Sequence, residues 1–189
     1  MLHDLIEKNR SYRRFYEEVA IDRSTLHELV DLARLSATGS NRQPLKFKLA
    51  CDRETNALIF PHLAWAGLLK EWGGPAEGER PAAYIIILGD TAIASSFGLD
   101  HGIAAQSMLL GATERGLGGC MLASIQKEGL RAALAIPPRY EILLVLALGK
   151  PRETVLVDPL IPGGDTRYWR DGDGAHHVPK RSLDELLVG

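Results

Sequence analysis

The sequence has 189 residues, of which 46% are hydrophobic and 24% are charged. These proportions are typical of one globular domain and exclude a chain that is disordered throughout. Its 22 basic and 24 acidic residues give a net charge of −2, which provides no overall positive field for nucleic acid or an anionic membrane. No apolar run approaches the roughly 20 residues of a membrane span. No signal-peptide pattern opens the chain, so we expect a cytoplasmic protein.

Two helices are predicted in the N-terminal part. Apolar residues at helical spacing indicate a short helix that ends near Asn9, and a clearer pattern follows further on. In this second helix Thr25 and Glu28 stand at capping-box spacing, and the pattern stops around Leu35. Between the two helices lies a basic segment, residues 10–15.

The next stretch, residues 36–44, is rich in small and amide side chains, which favour turns and offer hydrogen bonds. We interpret it as a functional loop. Apolar residues and lysines then alternate from Leu45 to Leu49, which is the period of a strand with one wet face. A helical pattern over 57–72 is broken by Pro61.

Strands and helices alternate through the middle of the chain. The almost unbroken apolar run from Ala82 to Gly89 suits a central strand that is buried on both faces. A long helix follows, with Ile103 among its mostly buried residues, and it ends at the C-cap signal Gly116. The predicted ranges are 100–115 and 127–135 for helices, and 120–123 and 140–149 for strands.

The chain from Pro151 onward has a different composition. It is rich in proline and glycine, carries scattered aromatic residues, and ends in a helical turn that Ser182 and Glu185 are spaced to cap. Such a segment cannot form a core of its own. We therefore expect it to lie against another surface.

Several motifs that carry chemistry are absent. The sequence has no Gly-x-Ser-x-Gly elbow and no P-loop. The glycine cluster 116–119 follows a predicted helix, whereas a dinucleotide fingerprint follows a strand. Cys51 and Cys120 form no Cys-x-x-Cys pair and are interpreted as core residues. The adjacent residues His176 and His177 should point to different sides, so no metal site is predicted.

Positive charge is concentrated near the two ends of the chain. Arg10, Arg13 and Arg14 lie close together beside Ser11, and a second basic pair occupies 180–181. Guanidinium groups bind phosphate oxygens at two points, which lysine cannot copy. In a chain with a slight negative charge this pattern favours one phosphorylated ligand. A solvated basic face that pairs with nearby acidic residues is the alternative.

Taken in order, these motifs resemble the FMN-dependent nitroreductase family, and the likeness runs from about His3 to Leu187. Residues 10–15 are similar to the family's Arg-Arg-Ser-x-Arg segment, and residues 37–44 to its Pro-Ser-x-x-Asn-x-Gln-Pro-Trp loop. Residues 102–110 look like the long central helix of the family. Residues 116–120 look like the segment that leads to the flavin.

Three residues depart from the family pattern. Asn9 stands where an arginine is usual, Ala37 where a proline is usual, and Leu45 where a tryptophan often follows Gln-Pro. With the first arginine replaced, the resemblance shifts the expected phosphate contacts towards Arg10 and Arg181.

The resemblance implies that FMN binds the N-terminal segment, with Arg13 at the pyrimidine edge of the ring. The loop 37–43 would pack along the flavin, and the C-terminal basic residues would return to the phosphate. No catalytic side chain is implied, because the chemistry belongs to FMN. The implied cofactor-binding residues are Arg10, Ser11, Arg13, Ala37, Thr38, Gly39, Asn41, Gln43, Leu122, Ala123, Ser124, Lys180 and Arg181.

The resemblance also implies an α+β fold, a nitroreductase-like sandwich whose central mixed, largely antiparallel sheet is flanked by helices. Residues 1–189 would form a single domain in a homodimer with FMN in the interface, and residues 151–189 would be a C-terminal arm that wraps the partner subunit. The implied activity is NAD(P)H-driven reduction of nitroaromatic, quinone-like or related electrophilic small molecules by a ping-pong flavin mechanism. NADH or NADPH and the electron acceptor would use the same pocket in turn.

Two alternatives to this activity stay open on the sequence. One is a specialised member of the family that dehalogenates, consumes flavin or oxidises a peptide-bound group. The other is a flavin-binding protein without reductase turnover.

Overall fold

The computed structural model describes all of residues 1–189, with five α-helices and eight strands. Short 3₁₀ turns cover Gly39–Asn41 and Phe60–His62. The helices are α1 (Leu2–Lys8), α2 (Arg23–Leu35), α3 (Arg53–Ile59), α4 (Asp100–Glu114) and α5 (Lys127–Ala133). The strands are β1 (Phe15–Tyr16), β2 (Leu45–Ala50), β3 (Ala83–Asp90), β4 (Gly118–Leu122), β5 (Tyr140–Pro151), β6 (Val155–Pro159), β7 (Trp169–Arg170) and β8 (His176–Lys180).

The central sheet has the strand order β2, β3, β5, β4, and β1 pairs with the last two residues of β5. All of these strand pairs are antiparallel. The sequence predicted a mixed, largely antiparallel sheet. The parallel component is a one-residue bridge between Ser11 and Gly119 at the start of β4.

Helices cover both faces of this sheet, as the sequence predicted. Successive side chains of a strand point to opposite faces, so Ile85 and Ile87 of β3 join a core with α2 and α4, whereas Tyr84 and Ile86 join a core with α3 and α5. Every residue of β3 is buried for this reason. Burial of one such apolar side chain stabilises the fold by about 1.5–3 kcal/mol.

The predicted capping box at the start of α2 does not form. The helix begins at Arg23 with Asp22 at the N-cap position, so Thr25 and Glu28 already lie inside it. Glu28 instead binds Arg115 at the C-terminal end of α4, with Oε2 2.9 Å from Nη2. The ion pair joins the two helices that cover one face of the sheet.

The predicted helix over 57–72 was wrong beyond its first turn. α3 ends at Ile59 and Pro61 lies in a 3₁₀ turn, after which residues 63–72 are irregular. The backbone here makes tertiary hydrogen bonds in place of helical ones: the Ala64 N–H donates to the carbonyl of Ser124 at 3.0 Å. This segment therefore lies beside the end of β4.

Residues 151–189 pack on their own chain. β6 and β8 are parallel and β7 pairs antiparallel with β8, which gives a small second sheet. The Leu68 N–H donates to the Tyr168 hydroxyl at 3.4 Å, and Arg170 stacks on Trp72 at 4.3 Å. Ser182 and Glu185 cap a single turn by reciprocal hydrogen bonds of 3.1 and 3.4 Å. Contact between this arm and a partner subunit stays a prediction.

None of the helices has both the length and the hydrophobicity that a membrane crossing requires.

Candidate functional site

The N-terminal basic segment runs along the start of β4. The Tyr12 N–H donates to the carbonyl of Gly119 at 3.0 Å. A Cβ on Gly118 would lie 2.5 Å from the Tyr12 ring, and a Cβ on Gly119 would lie 2.7 Å from the carbonyl oxygen of Ala147. Glycine at position 118 permits the approach of Tyr12, and glycine at position 119 permits the close packing of β4 on β5. The Gly-Gly pair therefore supports the position of residues 10–13.

Arg10 and Arg13 are half-buried cations without a carboxylate partner. The Arg10 Nη2 atom donates to the carbonyl of Ile6 at 2.7 Å, and Arg13 Nη1 donates to the carbonyl of Ser11 at 3.1 Å. The Nε atom of each is buried without a hydrogen-bond partner. The neighbouring Arg14 differs, because it binds Glu79 at two points. Two guanidinium groups of one short segment, neither paired with a carboxylate, make this place suited to an anion.

A buried carboxylate fixes the backbone of the same segment. Glu153 accepts hydrogen bonds from the backbone N–H groups of Arg13 and Arg14, and its other oxygen lies 2.7 Å from Nη2 of Arg170. Its side chain is 1% exposed. Because Arg170 compensates this charge, Glu153 positions the arginine backbone while the Arg13 side chain stays unpaired.

Residues 122–124 continue along the strand that carries Gly119. Leu122 is buried, whereas Ala123 and Ser124 are exposed at the end of the strand. The structure thus places two groups of predicted site residues along β4, with residues 10–13 beside Gly119 and residues 122–124 about 10–17 Å further along, at roughly 3.4 Å per residue. We call residues 10–13 and 118–124 the arginine half-site.

The loop 37–43 forms a second group. Ser40, Asn41 and Gln43 have left-handed backbone conformations, with φ between 51 and 53°, which non-glycine residues adopt at a cost. The Gly39 N–H donates to the carboxylate of Asp100 at 2.8 Å, which docks the loop on the start of α4. A cavity of about 430 Å³ lies between this loop and α4. We call residues 37–43 the loop half-site.

Within one chain the loop half-site and the arginine segment 10–13 lie at opposite ends of the sheet. The loop reaches β3 where the Asp90 N–H donates to the carbonyl of Pro44, and Asp90 pairs with Tyr140 on β5. At the other end, Gly119 pairs with Leu148. The stretch of β5 from Tyr140 to Leu148 spans about 27 Å at roughly 3.4 Å per residue. The loop therefore does not reach Arg10 or Arg13 of its own chain.

The C-terminal basic residues are exposed and lie away from the arginine half-site. β8 begins with His176 next to Arg13, and the stretch from His176 to Arg181 covers about 17 Å if extended. Arg181 Nη1 lies 3.5 Å from the carboxylate of Glu185. The role predicted for Lys180 and Arg181 at the phosphate stays a prediction.

Sequence reasoning missed two arm residues that contact Arg13. His176 is 1% exposed, with Nε2 3.4 Å from Arg13 Nη1, and the Tyr168 ring lies 5.1 Å from the Arg13 guanidinium carbon. Burial, together with the charges of Arg13 and Arg170, lowers the pKa of His176 to about 4. The ring is therefore neutral at neutral pH. The His-His pair was visible in the sequence, but its burial depends on how the arm folds back.

The two adjacent histidines point to different sides, as predicted. His177 Nδ1 lies 2.8 Å from Asp158 and Nε2 lies 3.2 Å from Asp171. Its ring stacks on Trp169 at 4.7 Å. The two carboxylates raise the pKa of His177, in contrast to the lowered pKa of His176. The pair therefore holds the arm by two different kinds of contact.

The free cysteines do not supply a nucleophile at the arginine half-site. Cys120 is buried in β4, as expected for a core residue, and burial raises the pKa of its thiol. A thiol with a raised pKa is protonated at neutral pH and is a poor nucleophile. Cys51 is only half-buried and follows β2, the edge strand of the sheet that lies furthest from β4.

A cavity of about 570 Å³ lies between α3 and the segment before β3. None of the predicted site residues lines it. Glu17, Glu18 and Glu77 stand at its wall, and carboxylates repel a phosphate. Arg53 and Arg80 also line it, but Arg53 lies 4.0 Å from Glu77, and the carboxylates outnumber the cations, whereas no carboxylate pairs with the Arg10 or Arg13 side chain. The arginine half-site is therefore the better candidate for binding an anion.

The geometry defines an α+β sandwich with two arginines that lack carboxylate partners at one end of its sheet. A sequence profile described as the nitroreductase family matches residues 6–150. The chain belongs to the nitroreductase family. The predicted family and fold class are thereby confirmed, and so is the prediction of an oxidoreductase.

Solved structures of similar fold come from several bacteria. A nitroreductase family protein from Streptococcus pneumoniae TIGR4 has 16% identity and a TM-score of 0.73, with 100% of each chain covered. An FMN-dependent nitroreductase from Clostridium difficile R20291 has 19% identity and a TM-score of 0.66, covering 98% of this chain and 96% of the other. A nitroreductase from Exiguobacterium sibiricum, solved in complex with FMN, has 18% identity and a TM-score of 0.67, covering 80% and 89%. At these identities the likeness establishes the fold alone.

Proposed function

We propose that the protein is an FMN-dependent oxidoreductase that uses NADH or NADPH to reduce nitroaromatic, quinone-like or related electrophilic small molecules. The observation that carries the proposal is the pair of half-buried arginines, Arg10 and Arg13, that have no carboxylate partner. In a family whose members include an FMN complex, a phosphorylated flavin supplies the anion that these two cations lack.

The residues of the arginine half-site fit this cofactor. Arg10 and Ser11 would hold the phosphate, because a guanidinium group and a hydroxyl both donate to phosphate oxygens. Arg13 would lie at the pyrimidine edge, and residues 122–124 would lie along the ring. When bound, FMN supplies the transfer of hydride or electrons.

The protein's contribution is to orient the ligands and to provide positive charge. No carboxylate pairs with the Arg13 side chain, which contacts a carbonyl, a histidine and an aromatic ring. A preorganised cation stabilises negative charge that develops nearby without the cost of reorganising solvent. NAD(P)H and the electron acceptor would occupy the same pocket in turn, in a ping-pong cycle.

A homodimer would unite the two half-sites. Since the loop half-site lies about 27 Å along β5 from the position of Gly119 and the arginine segment beside it, the loop that completes each site would come from the partner subunit. Leu99 and Ile103 lie next to the loop and are 80% and 41% exposed. The sequence predicted Ile103 to be mostly buried, and burial in a subunit interface would account for both side chains. In this dimer the arm 151–189 would contact the partner as well.

The visible absorption spectrum tests this proposal most directly. The protein purified with added FMN should be yellow, and anaerobic addition of NADH or NADPH should bleach the flavin band. Arg10→Ala should lose FMN during gel filtration, whereas Arg23→Ala, at an exposed position on α2, should retain it. A protein that stays colourless after incubation with FMN would refute the cofactor. A yellow protein that neither NADH nor NADPH bleaches would be a flavin binder without turnover.

A further inference from the structure

Arg13 and Arg14 are neighbours in sequence but are held in opposite ways. Arg14 binds Glu79 through two hydrogen bonds, one of 2.8 Å from Nε to Oε2. This carboxylate fixes the side chain and also cancels its charge. Arg13 is held by the carbonyl of Ser11 and by His176.

His176 comes from β8 and is buried against Arg13. Its Nε2 atom faces the Arg13 Nη1 donor at 3.4 Å, so Nε2 accepts and the ring proton lies on Nδ1. That Nδ1 atom is buried without a hydrogen-bond partner. The Nδ1–H group therefore contributes no hydrogen bond that would fix the ring. The one hydrogen bond of the ring is the one that Nε2 accepts from Arg13.

The surroundings keep this ring neutral. Arg13, Arg170 and His177 are the cations nearest to it, and with burial they lower the pKa of His176 to about 4. The Tyr168 ring lies 5.0 Å from the His176 ring and 5.1 Å from the Arg13 guanidinium carbon. All three groups that contact the Arg13 guanidinium are thus without charge.

We infer that His176 is a positioning residue that holds the Arg13 guanidinium through a neutral acceptor, so that the positive charge of Arg13 remains available to an anionic ligand. The effect expected on ligand affinity rests on the proposed binding of FMN. The positioning itself concerns the protein alone and can be measured without FMN.

Three substitutions of His176 distinguish the hydrogen bond that holds Arg13 from the net charge around its guanidinium group. His176→Gln keeps an acceptor near the position of Nε2. His176→Leu fills much of the volume without an acceptor. His176→Glu keeps an acceptor but adds a negative charge, which reproduces the situation of Arg14 and Glu79. His177→Gln is the matched control, because His177 holds the arm through Asp158 and Asp171 and makes no hydrogen bond to Arg13.

The first measurement is the rate at which phenylglyoxal modifies Arg13 in the full chain, followed by peptide mass spectrometry. Arg14 and the exposed Arg23 serve as slow and fast references. Arg13 should react several-fold faster in His176→Leu than in wild type, and at nearly the wild-type rate in His176→Gln and His176→Glu. An unchanged rate in His176→Leu overturns the inference, and so does an equal increase in His177→Gln, which would indicate a loosened arm.

The second measurement is the dissociation constant of FMN, from the quenching of flavin fluorescence. It should rise about tenfold in His176→Leu, since a hydrogen bond to a charged group is lost, and also in His176→Glu, where Arg13 is held but neutralised. His176→Gln should bind within a factor of about two of wild type. If His176→Glu binds FMN as tightly as wild type, the claim that Arg13 must keep an uncompensated charge is wrong. If wild type does not bind FMN but the Arg13 rates change as expected, the positioning role stands and the proposed function fails.

Discussion

Arg139 binds the Asp90 carboxylate at two points, with Nε 2.6 Å from Oδ1 and Nη2 2.7 Å from Oδ2. Asp90 ends β3 and is fully buried, and its N–H donates to the carbonyl of Pro44. The ion pair therefore lies at the end of the sheet where the loop half-site joins β2.

Removal of this guanidinium should destabilise the protein strongly, because a buried carboxylate is left unpaired. Arg139→Ala should lower the midpoint of urea denaturation, and Arg139→Lys, which keeps the charge but not the two-point geometry, should lie between it and wild type.

Arg139 lowers the pKa of Asp90. The stabilisation by the Asp90–Arg139 ion pair is therefore complete above the ordinary carboxyl pKa of about 3.9. It is lost as pH falls through the lower pKa that Asp90 has in the folded protein. The difference between wild type and Arg139→Ala should shrink from about pH 7 to about pH 2; a constant difference would contradict this account.

Close packing against α4 and β5 makes Gly119, which accepts the hydrogen bond of the Tyr12 N–H, sensitive to substitution. In Gly119→Ala the new Cβ meets Leu109 at 2.6 Å and the Ala147 carbonyl at 2.7 Å. We expect a loss of about 1–3 kcal/mol in the free energy of unfolding and weaker retention of FMN. Gly102→Ala is the control: it lies in α4 with no atom within 4 Å of the new Cβ, and it should stabilise by about 0.5–1 kcal/mol. Equal effects of the two alanines would count against the packing argument.

The proposed dimer predicts that the exposed apolar side chains beside the loop half-site are sensitive to charge. Ile103→Glu should convert the protein to a monomer in light scattering after gel filtration, because a buried unpaired charge weakens an interface by at least about tenfold. The monomer should also lose FMN. Leu58→Glu is the control, since Leu58 is 50% exposed on α3 on the opposite face of the sheet. A dimer that persists in Ile103→Glu would place the interface elsewhere.

The stabilisation of the arm by His177 should be lost at high pH. Its pKa is raised by Asp171 and Asp158, so the stabilisation is complete below the ordinary histidine pKa of about 6.5 and is lost as pH rises through the higher folded value. Tryptic cleavage at the exposed Arg167 should therefore be faster at about pH 9 than at about pH 6. His177→Gln should be cleaved rapidly at both, after correction with an unstructured peptide. A wild-type rate that is independent of pH would be inconsistent with this role.

His176 should act in the opposite direction. Its pKa is lowered to about 4, so its neutral form stabilises the arm above about pH 6.5, and that stabilisation is lost as pH falls through about 4. Hydrogen exchange of the β8 amides should rise, relative to intrinsic rates, on acidification through this range. His176→Gln has no titrating group and should show a smaller change. Equal acid profiles for the two proteins would contradict the assignment.

Much of the fold could be predicted because its signals are local. The buried run of β3 and the alternation of β2 depend on side chains within a few residues of one another, and both strands occur where predicted. The irregular path of 63–72 could not be predicted, because the Ala64 amide bonds to Ser124, which is distant in sequence. Tertiary hydrogen bonds override a helical pattern in such cases.

The candidate site was predictable to the extent that its residues lie in short motifs. Arg10, Ser11 and Arg13 occupy one segment, and the structure places this segment beside Gly119, on the strand that also carries Leu122. His176 and Glu153 could not be assigned, because their contacts with Arg13 depend on the path of an arm that has no periodic pattern. The separation of the two half-sites likewise follows from strand order, which no single segment encodes.

That separation has a consequence for mixtures of subunits. In the proposed dimer, each site combines Arg10 and Arg13 of one chain with the loop of the other. A heterodimer of one chain altered at Arg10 and another altered in the loop would have one site with both defects and one site with none. Two variants that are each inactive alone would therefore recover up to half of the normal activity per heterodimer when they are refolded together.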